Sequence, residues 1–203
     1  MENNADVRLN LMNDEDIVLP PTDAGQNKYS AGTVFILAGS PGMTGAAIMA
    51  AQAASITGAG LIYVGIPLSL NTIMETKLTE PLTLPLPCEE DGVLRKEALP
   101  QIFEKIDKTD AFLVGPGMGR SKTTLQILRD VIEYAQKNNK PAVIDADALF
   151  LLSQDPVLTK HLDQNAVITP HHGEFIRLSG HKKHDMQTTP WKALEEFIAG
   201  HNC

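Results

Sequence analysis

The chain has 203 residues, 43% of them hydrophobic, a formal net charge of -8 and an isoelectric point near 5.2. That length and apolar content suffice for one domain with a sizeable core, while the acidic balance opposes a sequence-independent hold on nucleic acid, which needs a basic surface to displace counterions. Cys88 and Cys203 form no CxxC pair and no zinc-type spacing with histidine, so they read as reduced thiols of a cytoplasmic protein. No basic-then-apolar leader precedes Gly32 and no apolar run reaches bilayer-spanning length, so no membrane partner is expected.

The first thirty residues are polar, acidic and broken by proline, which predicts a surface arm over residues 1–27 and a core domain over residues 28–203. From Thr33 onward come short runs rich in valine, isoleucine and leucine: TVFILAG, LIYVGIP, DAFLVGPG, PAVIDAD and NAVITPH. Each leads into a loop and a helical pattern, the signature of buried parallel strands with crossover helices in an α/β fold. TTLQILRDVIEYAQKNNK is the clearest helix, because Leu125, Leu128, Ile132 and Ala135 share one face. KEALPQIFEKIDK is a weaker one, with Pro100 near its start, and the alternating prolines and leucines of TKLTEPLTLPLPCEEDG predict an extended surface stretch or an edge strand.

Four of the five runs end in unusual chemistry: AGSPGMTG, GPGMGR, DADAL and TPHHGE. Open parallel sheets bind ligands beyond the carboxyl ends of their strands, so these ends predict a site. Gly39, Gly42 and Gly45 match neither standard phosphate loop. Ala46 and Ala47 stand where a P-loop has Lys and Ser or Thr, and the even spacing departs from the dinucleotide fingerprint. Two readings stay open for this turn, an amide-lined cradle for an anion at a helix start and a plain packing turn. Gly115, Gly117 and Gly119 form a second glycine loop, followed by Arg120, a lone arginine expected in solvent. Asp145 suits magnesium-phosphate work at a strand end, and Asp147 is expected to cap the next helix. His171, His172 and Glu174 are not assigned a metal, because adjacent histidines diverge and no further ligand cluster is evident. A hydrogen bond from His171 to substrate, and a water-mediated phosphate or metal contact by Glu174, are the expected roles. His161, His181, His184 and His201 lie in polar stretches and are expected to be solvated.

In this order, the segment from Asn27 to Pro67, DAFLVGPGMGR, PAVIDADAL and AVITPHHGEFIRLSG resemble the ATP- or ADP-dependent NAD(P)H-hydrate dehydratases of the ribokinase-like superfamily, from about Lys28 to about Gly180. Met118 replaces the family's usual leucine and His172 its usual proline. The resemblance implies a ribokinase-like three-layer α/β/α sandwich with a mostly parallel sheet, here C-terminally truncated. It implies an enzyme that uses ATP or ADP with Mg2+ to phosphorylate the hydroxyl of hydrated NADH or NADPH, after which phosphate leaves. Carried over, the backbone around Ala46 would line the nicotinamide end of the hydrate pocket, Gly117 and Gly119 would contact the hydrate further along, and His171 would hydrogen-bond it. Asp145 and Glu174, read from the chemistry of their own strand ends, are expected in the vicinity of a nucleotide, phosphate or metal. Family members continue into a Lys-Gly strand end and a Gly-Gly-x-Gly-Asp segment whose aspartate is the base; neither occurs here, so no catalytic residue is expected before Cys203 and this chain alone should be inactive. Two other readings are a catalytically inactive dinucleotide-binding module or partner subunit, and a ribokinase-like small-molecule kinase. A sheet cut before its last strands exposes an edge and an apolar face. That predicts a partner chain, a homo-oligomer, or a disordered tail after about Gly180.

Overall fold

The structure is a computed structural model and describes residues 25–201. Most of the expected arm, and Cys203, lie outside the described residues. In chain order the elements are β1 (Thr33–Leu37), α1 (Thr44–Ile56), β2 (Leu61–Pro67), α2 (Asn71–Lys77), β3 (Leu82–Leu86), α3 (Leu99–Asp107), β4 (Ala111–Val114), α4 (Lys122–Lys137), β5 (Ala142–Ile144), α5 (Asp147–Ser153), β6 (Ala166–Ile168), α6 (His172–Ser179), α7 (Lys183–Thr188) and α8 (Pro190–Gly200). The sheet order is β3-β2-β1-β4-β5-β6 and every pairing is parallel. The chain first winds outward from β1 to β3, then crosses to β4 and winds the other way. The switch point therefore lies between β1 and β4, where an open sheet offers its crevice.

Right-handed crossovers place α1 and α2 on one face and α3, α4 and α5 on the other. The two cores agree: Ile36, Val64, Ile66, Ala47, Ala51 and Met74 pack together, as do Phe35, Leu37, Phe112, Val114, Ile144, Ile102, Ile127 and Leu152. Along β1 the side chains alternate between these cores, as the two-residue period of a strand requires. Ala47 and Ala51, one helical turn apart and fully buried, let α1 lie close to the sheet. Met118 belongs to the larger core, where its volume stands in for leucine. Pro85 is tolerated because β3 is an edge strand, and Pro100 because it falls in the first turn of α3. The hydroxyl of Ser121 caps α4 by accepting from the Thr124 N–H at 3.0 Å.

After Gly180 the structure shows helices rather than a structureless tail. Phe175 of α6 meets Ala193 and Phe197 of α8 in a small third core, with the two phenyl rings edge to face at 5.4 Å. Three histidines expected in solvent are half-buried and partnered. His161 Nδ1 lies 2.9 Å from Gln136 Oε1, His181 Nε2 lies 3.0 Å from Glu196, and the His201 ring stacks on Phe197 at 4.1 Å. The small third core draws His181 and His201 in, which a polar local sequence does not reveal; His184 is exposed. No helix among the described residues is long and apolar enough to cross a membrane.

Candidate functional site

The two glycine loops flank the switch point and are laced together. The Gly39 N–H donates to the Pro116 carbonyl at 2.9 Å and the Gly115 N–H to the Leu37 carbonyl at 3.2 Å. Gly117, with φ of 63°, lies against the start of α1: a Cβ there would stand 2.9 Å from the Met43 carbonyl oxygen and 3.2 Å from the Ala46 Cβ. Ala46 and Gly117 thus meet, and Gly119 faces Ser40. Met43 occupies the N-cap of α1 without a side-chain cap, and the first turn carries no acidic residue. No side chain of the helix's own first turn offsets the positive end of α1.

The second loop is fixed from the far side by Asp147, which corrects the expectation that this residue caps the next helix. Asp147 is the first residue of α5 and does not cap it; the N-cap is Ala146, at φ 52°. The buried Asp147 carboxylate instead accepts the Gly119 N–H at 3.0 Å and pairs with Arg120 Nε at 2.6 Å. Two donors on the facing loop outcompete the local amides. Arg120 is therefore not a lone solvated arginine: half its side chain is covered, and its guanidinium lies 4.3 Å from the Phe150 ring centre. Asp145 ends β5 half-buried. Its backbone is spent, with N–H to Val114 and carbonyl to Ala148, and among the described residues its carboxylate has no hydrogen-bond partner.

At the end of β6, His171 caps α6. Its Nδ1 accepts the Gly173 N–H at 3.0 Å, and its own N–H donates to Glu174 Oε2 at 3.0 Å, completing a capping box. With Nδ1 accepting, the neutral ring carries its proton on Nε2, an exposed donor 3.4 Å from Glu174 Oε1. Glu174 is buried and held by this cap. No group of three His, Cys, Asp or Glu side chains suited to a metal occurs among the described residues.

Strand ends β1, β4, β5 and β6 stand side by side. Three interstrand spacings put Gly39 and His171 at opposite ends of a rim ~14 Å long. Two features of this rim were not read from sequence. The turn at Asp91–Val93 closes one side of a cavity of about 160 Å³ with Ser40, Pro41, Gly119 and Arg120, and Gly92 sits on the Pro41 ring. EEDG is a turn signal, but nothing local says where the turn docks. A larger hollow of about 580 Å³ lies beside His171 and His172, lined by Phe175, Met186 and Trp191.

The family model described as NAD(P)H-hydrate dehydratase matches residues 34–200. A bifunctional NAD(P)H-hydrate repair enzyme of Moorella thermoacetica is 37% identical over 162 residues, 80% of this chain and 30% of that protein. An ATP-dependent (S)-NAD(P)H-hydrate dehydratase of Ciona intestinalis is 36% identical over 163 residues, 80% of this chain and 43% of that protein. Two crystal structures share the fold at 24% identity, each over 90% of this chain and 59% of the other. They are a ribokinase-like superfamily protein of Enterococcus faecalis, with a TM-score of 0.75, and an ADP/ATP-dependent NAD(P)H-hydrate dehydratase of Bacillus subtilis co-crystallized with ATP and Mg2+, with a TM-score of 0.65. The architecture is thus ribokinase-like. The chain spans less than half the length of the two curated relatives and about three fifths of the two structures.

Proposed function

The chain belongs to the NAD(P)H-hydrate dehydratase family, and from that premise we propose that it serves the nucleotide-dependent repair of NADH and NADPH that have taken up water on the nicotinamide ring. The observation that carries this reading is the meeting of Ala46 and Gly117 at the switch point, on the same carboxyl edge as His171. The family match favours repair over an inactive binding module or a small-molecule kinase.

In this reading the start of α1 and the Gly117–Gly119 backbone form one wall of the hydrate pocket. His171 offers its Nε2–H to a substrate oxygen, and Glu174 keeps the imidazole aimed by holding the cap. ATP or ADP, with Mg2+, supplies the phosphoryl group that turns hydroxide into phosphate, a better leaving group. Mg2+ keeps several waters and takes one or two carboxylates beside phosphate oxygens. The unpartnered carboxylate of Asp145 fits such a water-mediated contact, whereas Glu174, already committed to the cap, fits a supporting role. A cytoplasmic location and a homo-oligomeric state belong to the same proposal, the second supported by the exposed Val167 of β6, in register with Val143 and Leu113 on one sheet face.

The test is a binding titration of hydrated NADH, paired with near-ultraviolet absorbance recovery in the presence of Mg2+ and ATP or ADP. The expected result is hydrate binding that His171→Ala weakens about tenfold, the size of one hydrogen bond to a charged or polar group in a closed site. No absorbance recovery is expected from these 203 residues alone, because no Gly-Gly-x-Gly-Asp occurs in them. A chain that does not bind the hydrate overturns the reading.

A further inference from the structure

Two arginines converge on one aromatic ring at the rim of the crevice. Arg120 follows the second glycine loop and Arg177 stands on α6, yet both guanidinium groups lie over Phe150 of α5, at 4.3 and 5.8 Å from the ring centre. Phe150 is one turn beyond Asp147, so the patch sits beside the end of β5, between the Ala46–Gly117 wall and His171. Asp147 engages Arg120 through Nε alone. The outer nitrogens of that guanidinium have no partner among the described residues, and Arg177 forms no ion pair there.

The position of Arg177 is informative. It belongs to the last turn of α6, where a cation is favoured by the helix dipole. Its side chain nevertheless leans back along the helix, as helical side chains do, and places Nη2 4.0 Å from where a Cβ on Gly173 would stand, in the first turn. There it adds its charge to the positive end of the helix rather than offsetting the negative one. The nearby carboxylate of Glu174 is buried and held by the His171 cap. Two guanidinium groups and a helix start therefore share this rim, and Asp147 offsets only one of them.

We propose that Arg120 and Arg177 form a diphosphate clamp, with Phe150 as the platform that orders both guanidinium groups. Planar guanidinium forks match phosphate oxygens, and stacking on an aromatic face holds them in place before the anion arrives. A ligand lying along the rim has its middle beside β5, so the clamp meets the bridging diphosphate of a dinucleotide. The phosphates of the phosphoryl donor carry the same chemistry. The choice between these two sources rests on the repair reading; the clamp itself does not.

The experiment is calorimetric titration of the chain with inorganic pyrophosphate at low and moderate salt, with thermal melting to confirm that each variant is folded. Binding should weaken as salt rises. Arg177→Ala should weaken it at least tenfold, Arg177→Lys less, and Lys137→Ala, in the last turn of α4 at the opposite, amino edge of the sheet, by no more than twofold. Arg177 carries no structural ion pair, so its loss reports on the ligand even if Arg120→Ala unfolds the chain. Titrations with NADH and with ADP identify the source: a loss confined to NADH assigns the clamp to the dinucleotide, and a loss confined to ADP assigns it to the donor. Absence of pyrophosphate binding, or an Arg177→Ala affinity within twofold of the parent, overturns the clamp. A chain that binds pyrophosphate but not hydrated NADH overturns the repair reading and leaves the clamp standing.

Discussion

Gly115 carries the tightest steric constraint at the site. With φ of 126°, it lets β4 and β5 end against each other: a Cβ there would stand 1.9 Å from the Asp145 carbonyl oxygen and 2.7 Å from the Ala148 Cβ. Gly115→Ala should destabilise the chain by about 3 kcal/mol or more, combining backbone strain with overpacking, and should lower the urea midpoint accordingly. Gly45 is the opposite case. It is helical, with nothing within 4 Å of an added Cβ, so Gly45→Ala should change stability by less than about 1 kcal/mol. If the turn holds a ligand, the same substitution should weaken hydrate binding at least fivefold; unchanged binding would make the turn a packing device. Both roles were open in the sequence because three glycines say that the backbone comes close to something without saying to what. The Asp147–Arg120 pair was not legible at all, since an aspartate at a helix start looks the same whether it caps that helix or reaches a loop 27 residues earlier.

At the scale of elements, the clearest electrostatic tie joins α4 to the turn after α5, where the Arg129 guanidinium meets the Asp155 carboxylate. Burial pushes this carboxyl group up, but the Arg129 hydrogen bond and the amides of Leu158 and Val157 together outweigh it and hold it below the usual carboxylate range. A carboxyl group with a folded pKa below its unfolded value adds stability that is complete above the unfolded value, about 3.9, and is lost as pH falls through the folded one. Asp155→Asn should therefore cost stability at neutral pH, and its deficit against the parent should shrink below about pH 4. Urea unfolding at several pH values reads both, and a deficit that persists unchanged in acid would assign the effect to packing. Strands β1 and β4 were legible as short continuous apolar runs because both faces of the sheet are covered there, and α4 because burial on one face of a helix leaves its mark every three to four residues. Helix α8 has such a pattern in Ala193, Leu194 and Phe197. Its contact with Phe175 depends on a chain reversal after Gly180 that no local pattern specifies.

For the molecule as a whole, the uneven clothing of the sheet matters most. Leu113, Val143 and Val167 are cross-strand neighbours on β4, β5 and β6, on the face opposite α3, α4 and α5. Of these, Leu113 packs on the smaller core, Val143 is half-buried and Val167 is 57% exposed. A purely parallel sheet is ordinarily covered on both faces. The residues that form this face follow only from register, which no local pattern states. Amide exchange should follow this gradient: central β1 and β4 should be the most protected and β6, at the edge of the sheet with Val167 uncovered among the described residues, the least. If copies of this chain cover the face, protection of β6 should rise with protein concentration, and Val167→Lys should abolish that rise while leaving β1 unchanged. Exchange of β6 that is independent of concentration would rule out this face as a contact between copies, because a strand buried by a second copy cannot exchange at the rate of a free edge.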